Sequence, residues 1–147
     1  HGQDRAFQLE LLHRVARGSL AELVGPAALP LDRLARRIGF FRAAQQQWPL
    51  LDADLRADLE AYSAGVNAGR TVVPHELALL GGTMAPWHPV DCLAIAKVLS
   101  FKLAANWDAE LVRLRVLLLD GPEALAAIDP TYAAHHPAIV PPGAAVG

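Results

Sequence analysis

Apolar residues recur every three or four positions through the first 70 residues, a spacing that predicts amphipathic helices. The first helix is predicted to begin after Asp4, which can cap its start, and to end at Gly25, where a proline follows. Gly18 lies inside this run and weakens a helix by about 1 kcal/mol relative to alanine, so we expect a kink or close packing there. The predicted buried stripe consists of Phe7, Leu11, Leu12, Val15 and Leu20.

The same periodicity predicts two further helices before residue 71. The second covers residues 29–47 and the third covers residues 52–70. Gly65 and Gly69, near the end of the third helix, indicate that another segment packs closely against it. The predicted buried stripes are Leu31, Leu34, Ile38 and Phe41 in the second helix, and Leu55, Leu59, Tyr62 and Val66 in the third.

The pattern changes in the middle of the chain. Residues 71–91 contain three prolines, a Gly-Gly pair and one short apolar helix, which together predict a loop crossing the surface. A long helical stretch follows from Pro89 to about Leu119, with a break near the sequence AANWD, and Gly121-Pro122 ends it before a last short helix. No strand pattern of useful length occurs, so the predicted fold class is mainly α. We divide the chain into a helical region, 1–130, and an extended Pro/Ala/Gly-rich linker, 131–147.

Composition indicates that this helical region is not complete by itself. Of the 147 residues, 53% are hydrophobic, yet no apolar run approaches the ~18 residues of a membrane span, and no membrane association is expected. An apolar excess without a span suggests that another chain covers part of the surface, and we expect the isolated chain to self-associate. The net charge of −2, with acids and bases interleaved, gives no footprint for nucleic acid.

No complete active site can be assembled from the residues alone. The sequence contains no nucleophile elbow, phosphate-binding loop, dinucleotide fingerprint or zinc-ligand spacing. Ser19, Ser63 and Ser100 are isolated hydroxyls without a recognisable activating base, and Cys92 has no second cysteine to pair with. The residues therefore predict a helical piece of something larger.

Four sequence blocks in order resemble the α-chain of the penicillin acylase family. They are HGQDRAFQLELLHRVARGSLAELVGPAALPLDRLARRIG at the start, then LEAYSAGVNAG, LALLGGTMAPWHPVDCLAIAK and NWDAELVRLRVL. The resemblance implies a precursor with a signal peptide, periplasmic or secreted, that cleaves itself into a small α-chain and a large β-chain. Together these chains form an N-terminal-nucleophile hydrolase with an αββα core. The substrates that the resemblance implies are amides of small or fatty acyl groups, including penicillins, cephalosporins and acyl-homoserine lactones.

The resemblance also explains why catalytic residues are missing. In the family, the nucleophile is a serine at the first position of the β-chain, and its own α-amino group acts as the base. No catalytic residue is therefore expected in this chain, and its partner is the β-chain of the same precursor. The same comparison implies that the strand-forming segment that opens family α-chains is missing ahead of His1. The alternative function is a non-catalytic helical interaction module.

Aligning Asp91 with the family's aspartate gives candidate roles to four residues. Glu110 then matches the α-chain glutamate that ligates calcium together with β-chain oxygens, and the other interpretation is an ordinary acid at the positive end of a helix. Ser100, Leu103 and Ala104 stand where penicillin G acylases line the acyl pocket with Met, Arg and a gating Phe. These departures imply a larger, less polar pocket that favours longer aliphatic acyl chains, and simple core packing is the alternative.

Overall fold

Helices make up all the regular secondary structure in the part of the chain that the structure describes, which confirms the mainly α prediction. The structure is a computed structural model and describes residues 1–104 and 106–128. Short 3₁₀ turns at Pro26–Ala28 and Trp48–Leu50 connect some of the helices. The helices are α1 Ala6–Arg17, α2 Ala21–Val24, α3 Leu29–Ile38, α4 Phe40–Gln47, α5 Ala53–Gly69, α6 His75–Leu79, α7 Pro89–Leu103 and α8 Trp107–Ile128.

The chain divides into two compact units, residues 1–104 and 105–147. In the first unit α7 is central, because it packs against α1, α4 and α5. Small side chains at these contacts allow the helices to approach closely, while one aromatic residue from the preceding loop fills the centre. The core consists of Leu9, Ala16, Ala44, Val66, Trp87, Ala94 and Ile95.

Two glycines divide helices that the periodicity predicted as continuous. Gly18 ends α1 in a left-handed conformation, with φ +66°, and a Cβ atom there would lie 2.7 Å from the carbonyl oxygen of Asp32. Close packing at this position is therefore confirmed, but the helix ends instead of kinking. Gly39, with φ +81°, separates α3 from α4 in the same way. Both breaks need a conformation that residues other than glycine rarely adopt.

The predicted buried stripes of the first two helices are only partly correct, because Leu12 and Phe41 pack against the core but are themselves half-buried. The residues predicted to be buried in α1 are half-buried, and Leu31 and Ile38 of α3 are exposed. Apart from Leu9, the buried side chains are small or polar: Ala6, Glu10, His13 and Ala16 in α1, and Asp32 and Ala35 in α3. The periodicity failed because it assigned the core to large apolar residues, whereas these helices bury acids that find hydrogen-bond partners inside.

The third predicted helix is partly correct in its packing. Val66 of α5 is buried as predicted, but Leu55 and Tyr62 are exposed. The close approach predicted at Gly69 is confirmed, because a Cβ atom there would lie 3.1 Å from the backbone nitrogen of Gln3. At Gly65 the prediction is wrong, since nothing lies within 4 Å.

The second unit contains α8. The predicted break before this helix is confirmed, because α7 ends at Leu103 and α8 begins at Trp107. Gly121 has non-helical angles, φ 84° and ψ 178°, so Gly-Pro interrupts α8 where the sequence predicted an end. The predicted linker, 131–147, lies outside the described residues. No helix in the described ranges is long and apolar enough to cross a membrane.

Candidate functional site

A buried glutamate joins three parts of the first unit. Glu10 of α1 is 0% exposed and accepts hydrogen bonds from Arg14 Nε at 2.9 Å and Arg70 Nη2 at 2.6 Å. It also accepts a hydrogen bond from the backbone N–H of Ala85 at 3.2 Å. One carboxylate therefore connects α1 with the end of α5 and with the loop that precedes α7. A fully buried charge is tolerated because both of its oxygens are paired.

A second buried carboxylate, Asp91, holds the start of α7. It accepts hydrogen bonds from Arg17 Nη2 at 2.8 Å, Arg17 Nε at 3.1 Å and the backbone N–H of His88 at 2.8 Å. Burial acts to raise the pKa of Asp91, but the contacts with His13, His88 and Arg17 outweigh it, so the pKa lies below its ordinary value. Asp91 is thus a charged cap at the N-terminus of α7 and also its link to α1.

His13 lies between the two carboxylates. Its Nε2 atom is 3.4 Å from Asp91 Oδ1, and its Nδ1 atom is 4.0 Å from Glu10 Oε1. Neither ring nitrogen makes a well-aligned hydrogen bond, and the ring lies over Trp87 with centroids 6.1 Å apart. We call this group the buried polar cluster. Its members are Glu10, His13, Arg14, Arg17, Arg70 and Asp91.

Hydrogen bonds from side chains of α5 and its C-terminal end hold the backbone of the loop before α7. Asn67 of α5 donates through Nδ2 to the carbonyl oxygen of Trp87 and accepts from the Trp87 N–H, both at 2.9 Å. Arg70 donates through Nη1 to the carbonyl oxygen of Ala85 at 2.8 Å. Together with the buried polar cluster, these bonds fix where α7 begins. This arrangement was not predicted from the sequence, although the α1 residues that face it, Ala6, Leu9, Glu10 and His13, lie at helical spacing.

The three predicted pocket residues lie at the opposite end of α7. Ser100, Leu103 and Ala104 are all exposed, and Leu103 is 87% exposed. The Ser100 hydroxyl donates to the carbonyl oxygen of Ala96 at 2.9 Å, as hydroxyls inside helices commonly do. None of the three is buried among the described residues.

Glu110 lies in the first turn of α8 in the second unit and is exposed. Its Oε1 atom accepts hydrogen bonds from Arg113 Nη1 at 2.8 Å and Asn106 Nδ2 at 3.4 Å. Within residues 1–104 and 106–128 no group of three or more His, Cys, Asp or Glu side chains could hold a metal. Calcium takes six to eight oxygen ligands, so Glu110 fits it in ligand type but supplies only a small part of the set.

An apolar cleft of about 480 Å³ opens between α1, α5 and α7. At its edge, Tyr62 Oη and His1 Nδ1 are 3.0 Å apart. Burial, followed by the charge of Cys92, raises the pKa of the Tyr62 phenol. The indole N–H of Trp87 points at Cys92 Sγ, 3.4 Å away. This cleft offers apolar contact but no activated nucleophile. The lining residues are His1, Leu9, Leu12, Leu59, Tyr62, Trp87, Cys92, Ile95, Ala96 and Leu99.

The sequence was compared with the profiles of known protein families. The sequence profile of the family described as penicillin amidase matches residues 1–143. The chain belongs to the penicillin amidase family. The resemblance found in the four sequence blocks is thereby confirmed. In this penicillin amidase chain, the first block carries Glu10 and Arg17, the second carries Asn67, and the third carries Trp87 and Asp91. The blocks therefore encode the contacts that hold the start of α7.

Curated relatives in the penicillin amidase family are much longer than this chain. It is 36% identical over 136 residues to the acyl-homoserine lactone acylase QuiP of Pseudomonas aeruginosa, with 90% of this chain and 16% of the relative covered. It is 37% identical over 110 residues to the penicillin acylase 2 proenzyme of Pseudomonas sp. strain SE83, with 73% of this chain and 14% of the relative covered. It is 30% identical over 101 residues to the penicillin G acylase of Escherichia coli, with 63% of this chain and 12% of the relative covered.

Proposed function

We propose that this chain is the α-chain part of a self-processing acylase that hydrolyses the amide bond of an acylated amine. The match to the penicillin amidase family over residues 1–143 carries this proposal. The relatives named above are acylases, and the chain spans only 12–16% of their lengths. The remainder, including a β-chain with the nucleophilic serine, would be supplied by the rest of the same precursor, exported to the periplasm or secreted.

The hydroxyl groups of the two serines inside long helices, Ser63 and Ser100, support a nucleophile located elsewhere. Ser63 donates to the carbonyl oxygen of Leu59 at 2.7 Å, and Ser100 donates to Ala96 in the same way. Neither hydroxyl contacts a histidine, carboxylate or amine that could accept its proton, as nucleophilic catalysis requires. In the proposed mechanism this chain binds and orients the acyl group while the β-chain attacks the amide.

The exposed apolar residues support a large partner. Leu31 and Ile38 of α3, Leu55 of α5, and Leu118 and Leu119 of α8 are all exposed. In α8 the described part has no buried residue at all, although leucine dominates its sequence. Exposed apolar side chains in such number are normally covered by other protein. We propose that the β-chain covers these surfaces.

The end of α7 supports a pocket for aliphatic acyl chains. Ser100, Leu103 and Ala104 carry no charge and no bulky aromatic ring, so this wall would be wide and apolar. An aliphatic chain gains about 0.8 kcal/mol for each methylene that such a wall removes from water. Acyl-homoserine lactones with long acyl chains are the substrate class that we propose: the apolar wall supports the long chain, and the name of the QuiP relative supports the acyl-homoserine lactone class.

We expect the complete gene product to hydrolyse long-chain acyl-homoserine lactones with a kcat/KM at least about tenfold higher than for phenylacetyl amides. Leu103→Arg places a charge in the proposed apolar wall and should reduce kcat/KM for the aliphatic substrate by about tenfold. Leu79→Arg is the control, because Leu79 is 83% exposed and outside the proposed pocket. The isolated 147-residue chain should be inactive. Saturable hydrolysis by that chain, or equal losses in the two variants, would contradict the proposal.

We also propose that Glu110 contributes one ligand to a calcium site shared with the β-chain. In the complete gene product, Glu110→Gln keeps the shape but removes the charge, so we expect weaker calcium binding and a smaller rise in melting temperature when calcium is added. Asp108→Asn is the control, since Asp108 Oδ1 accepts a hydrogen bond from the N–H of Ala109. Calorimetric titration compares the two. If Asp108→Asn is the more damaging, Glu110 is an ordinary acid at a helix start.

A further inference from the structure

Positive charge is concentrated in one part of this weakly acidic chain. Residues 33–51 contain four arginines and no acidic residue, whereas the net charge of the whole chain is −2. In the first unit, arginines from three different helices line a single cleft of about 350 Å³. They are Arg17 of α1, Arg36 of α3 and Arg42 of α4. The remaining lining residues are Ala16, Ala35, Gly39, Phe41 and Gln45.

The arginines have hydrogen-bond donors to spare. Arg17 uses Nε and Nη2 on Asp91, and its guanidinium is held 3.9 Å over the ring of Phe41. Arg36 uses only Nε, which donates to the carbonyl oxygen of Gly18 at 2.6 Å. The side chain of Arg42 makes no hydrogen bond to any residue in the described ranges. Arg17 and Arg36 are therefore positioned by the fold, and Arg42 is free to close on a ligand.

Neighbouring acids balance only part of the charge of the cleft. Asp91 balances Arg17, and the two oxygens of Asp32 accept the backbone N–H groups of Leu20 and Ala21. Neither Arg36 nor Arg42 forms an ion pair among the described residues. The N-terminus of α4 adds partial positive charge, because no side chain caps it and its first turn lines the cleft. A cleft with this charge and these donors attracts anions.

We propose that this cleft binds a small, exchangeable oxyanion, either phosphate or the carboxylate of a small molecule. Planar guanidinium groups bind both through paired hydrogen bonds, and the volume lies within the range of small-ligand sites. Arg17 and Arg36 form fixed walls, and Arg42 supplies the closing contact. The site is separate from the end of α7 where the acyl pocket is proposed, so it does not depend on acylase activity.

The test is calorimetric titration of the complete gene product with inorganic phosphate and, in a second arm, with acetate, at constant ionic strength. We expect saturable binding that Arg42→Gln weakens by about tenfold or more, the usual loss of one charged hydrogen bond. Arg42 is exposed and unbonded, so the variant should melt at the wild-type temperature without the anion. Arg37→Gln is the matched control, because Arg37 is exposed on the same arginine-rich segment but does not line the cleft.

Tighter binding of phosphate than of acetate assigns the site to phosphate groups, and the reverse assigns it to carboxylates. The proposal is overturned if the wild type binds neither anion saturably. An acidic side chain of the same gene product that already fills the cleft would give this result and would equally overturn the proposal. It is also overturned if Arg37→Gln and Arg42→Gln weaken binding equally. Loss of amide hydrolysis in either variant has no bearing on this result.

Discussion

Replacing Glu10 with glutamine is expected to lower the free energy of unfolding by about 3–5 kcal/mol, the usual cost of breaking a buried ion pair. The Arg70 side chain is only 4% exposed and lies 2.6 Å from Glu10. Without the carboxylate, Arg70 keeps its charge in the protein interior with no acid beside it. Urea unfolding of the wild type and the variant, followed by circular dichroism, measures the difference.

Glu22→Gln is the control for the loss of an acid beside an arginine. Glu22 lies 3.5 Å from Arg14, which is also a partner of Glu10, but its side chain is 68% exposed. A solvated pair of this kind contributes at most about 1 kcal/mol. A loss at Glu10 no larger than the loss at Glu22 would show that the buried polar cluster does not stabilise the fold.

Replacing Asp91 with asparagine is expected to cost on the order of 3 kcal/mol at neutral pH, because Arg17 loses its counter-charge and the start of α7 loses a charged cap. The effect should depend on pH. Burial acts to raise the pKa of Asp91, but its contacts hold it below the ordinary value of 3.8. A carboxyl group with a lowered folded-state pKa stabilises the protein above its unfolded-state pKa, and this contribution is lost as the pH falls through the folded-state pKa.

The difference in unfolding free energy between the wild type and Asp91→Asn should therefore shrink as the pH falls below about 4. Urea unfolding at a series of pH values measures it. Asp58→Asn is the control, because Asp58 is exposed on α5 and makes no hydrogen bond to the described residues. A difference that stays constant down to pH 2 would mean that the Asp91 charge is not what stabilises the start of α7.

The helical segments could be predicted from the sequence, but the glycine breaks inside two of them and the faces that they bury could not. The third helix, the loop after it and the break before α8 all follow from periodicity, glycine and proline. The buried face of α1 was wrong because Glu10 and His13 occupy it, and a polar residue is assigned to the surface unless its partners are known. Those partners, Arg70, Ala85 and Asp91, lie 60 to 78 residues further along the chain, where no local pattern can reveal them.

The candidate site could be predicted only through the family resemblance. Ser100, Leu103, Ala104 and Glu110 have no local pattern that indicates a pocket or a metal. All four are exposed, because the contacts that would define their roles are not formed within the described residues. The arginine cleft was missed for a different reason. Arg17, Arg36 and Arg42 are separated in sequence, and the nearly neutral total charge conceals their convergence.

The buried polar cluster makes the unfolding of α1, α5 and α7 cooperative. Glu10 on α1, Arg70 at the C-terminal end of α5 and Asp91 on α7 belong to one set of contacts. If one of these helices detaches, the charges of the others remain in the interior without partners. Partial opening is therefore nearly as costly as complete unfolding. The three helices should behave as a single cooperative unit, and their slowest-exchanging backbone amides should share one opening free energy.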